Sequence, residues 1–205
     1  MKKFISFIIL LITIPLFLYA QNNKIGILII GGINFYSLKY NSTNRFIPAY
    51  TSKLSYEIGG GTNFYLTNKF YLEVDILYKV KKSELIRFSG VEWSDVFYKF
   101  KYLAIPILTH YKFSFSKFNV FTTLGMESDF LLKSLIEDKR NDVILETTED
   151  TNSIDFQLIS GLGIKYKKLS VEFRYGMGLL NLNMGDTKGL IVKNMGFEFL
   201  ITHYF

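Results

Sequence analysis

The sequence predicts an all-β fold, an eight-stranded antiparallel up-and-down transmembrane β-barrel, from three observations. Eight segments alternate apolar and polar residues with period two. Short turns and long polar links take turns between those segments. Glycines and charged residues gather on one face of the alternation, while aliphatic and aromatic residues gather on the other. Successive side chains of a strand point to opposite faces, so a consistent period of two defines both the element and its two environments.

The last segment, 193–205, states the pattern most completely. Met195, Phe197, Phe199, Ile201, His203 and Phe205 fall on one face, and Gly196, Glu198, Leu200, Thr202 and Tyr204 on the other. A chain ending on a bare apolar strand would fray in water and offer a sticky edge. A strand that closes a barrel in a membrane has neither problem.

The seven earlier segments follow in order. Segment 24–36 sets Ile27, Ile29, Ile33 and Phe35 against Gly26, Gly32 and Asn34. Segment 54–66 sets Leu54, Tyr56, Ile58, Phe64 and Leu66 against Ser55, Glu57, Gly59, Gly61 and Asn63. In 70–82, Phe70, Leu72, Val74, Ile76, Tyr78 and Val80 oppose Tyr71, Glu73, Asp75, Leu77, Lys79 and Lys81. Segment 98–113 places Leu103, Ile105, Ile107, Thr109, Tyr111 and Phe113 together. Its first half, Lys99-Phe100-Lys101-Tyr102, runs in the opposite phase and predicts a bulge or bend near Tyr102. Segments 118–131 and 154–166 follow. In 169–180, Leu169, Val171, Phe173, Tyr175, Met177 and Leu179 oppose Ser170, Glu172, Arg174, Gly176 and Gly178.

The turns at 67–69, 114–117 and 167–168 are tight, whereas 37–53, 83–97, 132–153 and 181–192 are long and polar. Short connections at one end and long ones at the other are the pattern of outer-membrane barrels, with an even strand number putting both termini on the short-turn, periplasmic side. The polarity of the faces agrees. An eight-stranded barrel has an interior only wide enough for side chains. Glycines relieve crowding there, and ionised groups find partners instead of lipid. The expected lumen network is Glu57, Glu73, Asp75, Glu172, Arg174 and Glu198, with Lys79, Glu127 and Asp129 on the same face. A soluble ligand-binding barrel would need the reverse polarity.

Residues 1–20 read as a signal peptide: Lys2-Lys3, an apolar run from Phe4 to Leu18 interrupted by Pro15, and a Leu18-Tyr19-Ala20 cleavage site. The barrel domain is then 21–205, with Gln21 as its first residue. Removing two lysines lowers the formal charge from +6 to +4, with no basic run, so nucleic acid is not an expected partner. The chain has no cysteine, which excludes disulfide scaffolds and thiol chemistry. Fourteen tyrosines and twenty phenylalanines against three prolines suit strands.

Tyr102-Leu103-Ala104-Ile105-Pro106-Ile107-Leu108 resembles the YLEIPLL segment of the PorT-like outer-membrane β-barrel family of Bacteroidetes. Further matches are Asp155-Phe156-Gln157 leading to Gly161-Leu162-Gly163, and Val171 to Gly176 followed by Leu179-Leu180-Asn181-Leu182. The resemblance spans about 24–205. Ala104 stands where the family has an acidic residue, which removes a lumen carboxylate, and His203 replaces an aromatic two before the terminal Phe. The resemblance implies an eight-stranded outer-membrane barrel of a Gram-negative bacterium; one branch of the family takes part in secretion-system assembly.

Catalytic, cofactor and metal sites are not expected. A lipid-A-modifying enzyme needs a serine close to a histidine. His110 has Leu108 and Lys112 two residues away, and His203 has Ile201 and Phe205. The carboxylates Glu137, Asp138, Asp142, Glu146, Glu149 and Asp150 lack calcium-loop spacing. Gly59-Gly60-Gly61 lies inside a strand pattern and is no phosphate loop, and Trp93 falls in the second long link. The lumen charges read as a structural plug, with an ion or proton path as the competing role. Expected partners are outer-membrane lipid and lipopolysaccharide, the barrel-assembly machinery through the strand ending at Phe205, and a protein at the loops or periplasmic turns. The expected function is a non-enzymatic structural or interaction role; the alternatives are secretion-system assembly, a small channel and a lipid-modifying enzyme.

Overall fold

The computed structural model describes residues 25–41, 49–88, 93–138, 143–146, 153–182 and 191–205. The expected leader at 1–20 lies outside them. Nine strands are present: β1 Ile25–Asn41, β2 Ala49–Tyr65, β3 Phe70–Phe88, β4 Trp93–Ser114, β5 Asn119–Asp138, β6 Val143–Glu146, β7 Ile154–Tyr166, β8 Leu169–Gly178 and β9 Ile191–Tyr204. All pairings are antiparallel. Each long strand except the first and last of the chain pairs with its neighbours in sequence, and β1 pairs with β9 from Leu28↔Tyr204 to Asn41↔Ile191. That pairing closes an eight-stranded barrel, because β6 only extends β5, from Leu135↔Glu146 to Asp138↔Val143. Closure leaves no membrane-embedded edge, the condition for crossing lipid with strands.

The pleat puts Leu28, Ile30, Asn34, Tyr36 and Leu38 of β1 inside the barrel, buried, and leaves Ile27, Ile29 and Ile33 on its outer wall. The same division holds around the wall. Glycines thin the wall where the interior is crowded: a Cβ on Gly163 would overlap the Phe121 ring, which fills the lumen beside it. At the two-residue turn between β7 and β8, Lys167 takes the left-handed conformation, with φ 52°.

Three expectations need correction. The link at 83–97 is mostly paired strand, from Ser83↔Tyr98 to Phe88↔Trp93, so Trp93 opens β4 and is not a loop residue. The links at 37–53 and 132–153 are likewise shortened by the ends of β1, β2 and β5 and by β6. Beyond the membrane the two faces meet similar surroundings, so period two vanishes although the hydrogen-bond ladder continues. The seventh segment, expected to end at 180, ends at Gly178.

The third correction concerns Tyr102. A register shift does occur there, between Lys101↔Lys133 and Tyr102↔Leu131, but the extra residue is Leu132 on β5. β4 keeps its phase, with Phe100 and Tyr102 buried inside. The reversal of polarity comes from the surroundings: above the apolar belt the outside is wet, and the lumen is capped by Leu38, Phe100, Tyr102, Leu182 and Val192.

Candidate functional site

Among the described residues, the lumen holds all the buried carboxylates but Glu84, which meets Lys53 outside it. Among the described residues, eight lumen carboxylates are buried: Glu57, Glu73, Asp75, Glu127, Asp129, Asp155, Glu172 and Glu198. Three buried cations face them, Lys79, Lys81 and Arg174. Each is placed by strand register, since inward positions recur every second residue on β3 and β8.

Arg174 on β8 anchors the group nearer the short turns. Its Nη2 donates to Glu172 Oε2 at 2.8 Å and to Glu73 Oε1 at 3.0 Å. Thr123 of β5 donates its hydroxyl to Glu172 Oε1 and lies 3.0 Å from His110 Nδ1. The His110 ring stacks on Tyr71, with centroids 4.5 Å apart and planes 8° apart. Its Nε2 is 3.6 Å from Glu73 Oε1, beyond hydrogen-bond distance.

Lys79 on β3 centres the second group. Its Nζ donates to both Glu127 oxygens at 2.7 Å and to Glu198 Oε1 at 2.6 Å, and stands 3.1 Å from Glu57 Oε2. Tyr36 donates to Glu198 Oε1 at 2.6 Å. One turn of the pleat further on, Lys81 Nζ binds Asp129 Oδ2 at 2.6 Å and lies 4.2 Å from the Tyr36 ring centroid. Gln157 Nε2 also donates to Asp129, and Asn194 Nδ2 donates to Asp155 at 2.9 Å. On β3, Leu77 stands between Asp75 and Lys79, and it packs with Leu28, Ile30, Ala104 and Leu200. This apolar cluster separates the two groups on that side of the lumen, while on β8 and β9 they adjoin, with Arg174 directly opposite Glu198.

All six residues expected in the network are in the lumen. Arg174 joins Glu73 and Glu172, while Glu57 and Glu198 gather on Lys79 instead. Sequence reasoning left Tyr36, Lys81, His110, Asp155 and Gln157 out of that set. The signal that finds them is the register itself: Tyr36 shares the phase of Asn34, and Lys81 that of Lys79.

His110 has neighbours that invite a catalytic reading, a threonine hydroxyl on one side and a glutamate on the other. The arrangement argues against it. The Thr123 hydroxyl donates to the Glu172 carboxylate, whereas a nucleophile activated by His110 would donate to the imidazole. Thr123, His110, Tyr71 and Phe121 are all buried, facing inward and away from lipid. His203 sits on the outer wall against Phe205, with ring centroids 4.8 Å apart. Among the described residues no group of three or more metal-ligating side chains converges.

A closed wall with aliphatic and aromatic residues outside and ion pairs inside defines an outer-membrane-type β-barrel. The chain matches the family described as "Outer membrane protein beta-barrel domain" over residues 19–183, and it belongs to that family. Among solved structures it is similar to Ail, the attachment invasion locus protein of Yersinia pestis, with 11% identity, 88% of this chain and 99% of that one covered, and a TM-score of 0.43. It is similar to Neisserial surface protein A, with 9% identity, 87% and 97% coverage and a TM-score of 0.47. The outer membrane enzyme PagL follows with 13% identity, 83% and 98% coverage and a TM-score of 0.41. No curated protein matches the chain.

Proposed function

We propose that this outer-membrane barrel is a non-enzymatic structural or interaction protein, closed to ions, with its long-loop end outside the cell and both termini in the periplasm. The observation that carries the reading is the filled lumen. Lys79 and Arg174 are each shared among several acids and Lys81 is paired with Asp129, so the cations are locked in ion pairs inside an interior only wide enough for side chains. The same inward placement of His110 and Thr123 supports the absence of enzymatic activity. Lipopolysaccharide surrounds the wall, the strand ending at Phe205 is the contact for the barrel-assembly machinery, and a protein partner meets the loops or the periplasmic turns. The PorT-like resemblance of 102–108 supports membership of that group, and Ala104 stands at an inward, buried position where a carboxylate would otherwise join the lumen.

Planar-bilayer recording tests the reading: the protein inserts without steady conductance, whereas discrete steps would revive the channel. Orientation is read separately on intact cells. The chain lacks cysteine, so Ser89→Cys should react with a membrane-impermeant maleimide and Thr67→Cys should not.

A further inference from the structure

The polarity reversal on β4 leaves a charged sector on the outer wall. Its outward run is Phe113, Tyr111, Thr109, Ile107, Ile105 and Leu103, followed by Lys101 and Lys99. The ten steps from Phe113 to Leu103 span about 34 Å along a strand, or about 25 Å of membrane thickness at the usual tilt. Lys101 and Lys99 therefore stand where the apolar belt ends, at head-group depth on the long-loop side. Lys stems lie along apolar wall while the ammonium reaches water.

Register multiplies the charge. Lys82 of β3 is directly opposite Lys99 of β4 on one side and Lys53 of β2 on the other. Lys101 is directly opposite Lys133 of β5. Like charges in that relation destabilise a sheet. Lys53 is met by Glu84 at 2.6 Å. Among the described residues, Lys82, Lys99 and Lys101 have no carboxylate within ion-pair distance. Just below, Tyr56 and Tyr78 lie with rings 6.4 Å apart, as aromatics do at a membrane interface. Elsewhere on the wall Ile154, Phe156, Leu179 and Leu180 are exposed, and one further lysine pair, Lys39 of β1 opposite Lys193 of β9, lies at the same end. The lysines of β2 to β5 form a sector at the depth where an outer leaflet carries its phosphates.

We propose that this sector is a binding site for the phosphorylated head group of lipid A, with Lys82, Lys99 and Lys101 as the phosphate-binding cations. The inference rests on the reading that the long-loop end faces outward. The anion resolves the like-charge rows and gives the barrel a lipid neighbour over β2 to β5.

The test extracts the protein from membranes into neutral detergent and measures retained lipid by native mass spectrometry, with phosphorylated or dephosphorylated lipid A added. The wild type should prefer the phosphorylated form by on the order of tenfold or more, and K82Q/K99Q/K101Q should lose that preference. The substituted protein should be at least as heat-stable as wild type in neutral detergent, because like-charge pairs have been removed; the single K101Q gives the same comparison if the triple fails to fold. Unchanged retention in the variant, or equal retention of dephosphorylated lipid, overturns the proposal. So does displacement of the lipid by an equal concentration of inorganic pyrophosphate, which would mark a soluble-anion site. Retention in detergent does not depend on orientation, so a failure of the maleimide assay is a failure of topology and not of this site.

Discussion

The inner and outer surfaces of the barrel wall are built under opposite rules, and β8 shows both within ten residues. Inward, Ser170, Glu172 and Arg174 are buried, and each has named partners on other strands. Outward, Leu169, Val171 and Phe173 are exposed, at 52%, 58% and 40%. Lipid accepts any apolar shape, whereas the lumen requires a particular partner at a particular height. The difference predicts where the molecule tolerates change.

The largest effect should come from leaving lumen charges uncompensated. Arg174→Leu strands Glu73 and Glu172, and should cost about 3–5 kcal/mol, since breaking a buried pair from one side leaves a bare charge. Urea unfolding in lipid vesicles measures it, with Val171→Ala as the outward control on the same strand. A loss in Arg174→Leu no larger than the control's would erase the distinction between the two faces.

Next in size is the reverse error, a charge placed in lipid. Leu124 lies on the outer wall of β5, 57% exposed. Leu124→Arg should cost about 2–4 kcal/mol at the middle of the belt, and Ile154→Arg, near the rim, about 0–1 kcal/mol. The same unfolding assay reads both. Equal costs at the two depths would mean that no apolar belt exists.

A smaller effect tests the packing of the interior. Gly163→Ala drives a methyl into the Phe121 ring and should cost about 1–3 kcal/mol. Phe121→Ala in the same chain should recover part of that loss, so the double variant falls short of the summed single costs. Additivity would show that the two residues do not share space.

Much of this wall was legible from residue spacing, because the membrane enforces period two: Val171, Phe173 and Ile201 could only face one way once Glu172, Arg174 and Glu198 faced the other. The strand ends were not legible. Ser83 to Phe88 and Trp93 to Lys99 lie where water or head groups bathe the wall, so their polarity carries no face information although the ladder continues. The phase of Phe100 and Tyr102 was misread for the same reason: an inversion of the outside medium looks, in sequence, like a slip of the backbone. Lumen membership followed from the alternation, but the pairings within it did not. Which acids share Lys79 and which share Arg174 depends on the register between strands far apart in the chain, as in the Lys79–Glu198 contact.

The central claim is that the apolar face of the strands meets lipid. With no native cysteine in the way, single cysteines replacing Val171, Phe173, Ile201 and, in the β4–β5 turn, Ser116 can be spin-labelled after insertion into lipid bilayers. Relaxation by dissolved oxygen, which concentrates in hydrocarbon, is compared with relaxation by a water-soluble nickel chelate. Oxygen should dominate at 171, 173 and 201, and the chelate at 116. Chelate relaxation at 171, 173 and 201 as strong as that at 116 would contradict the account.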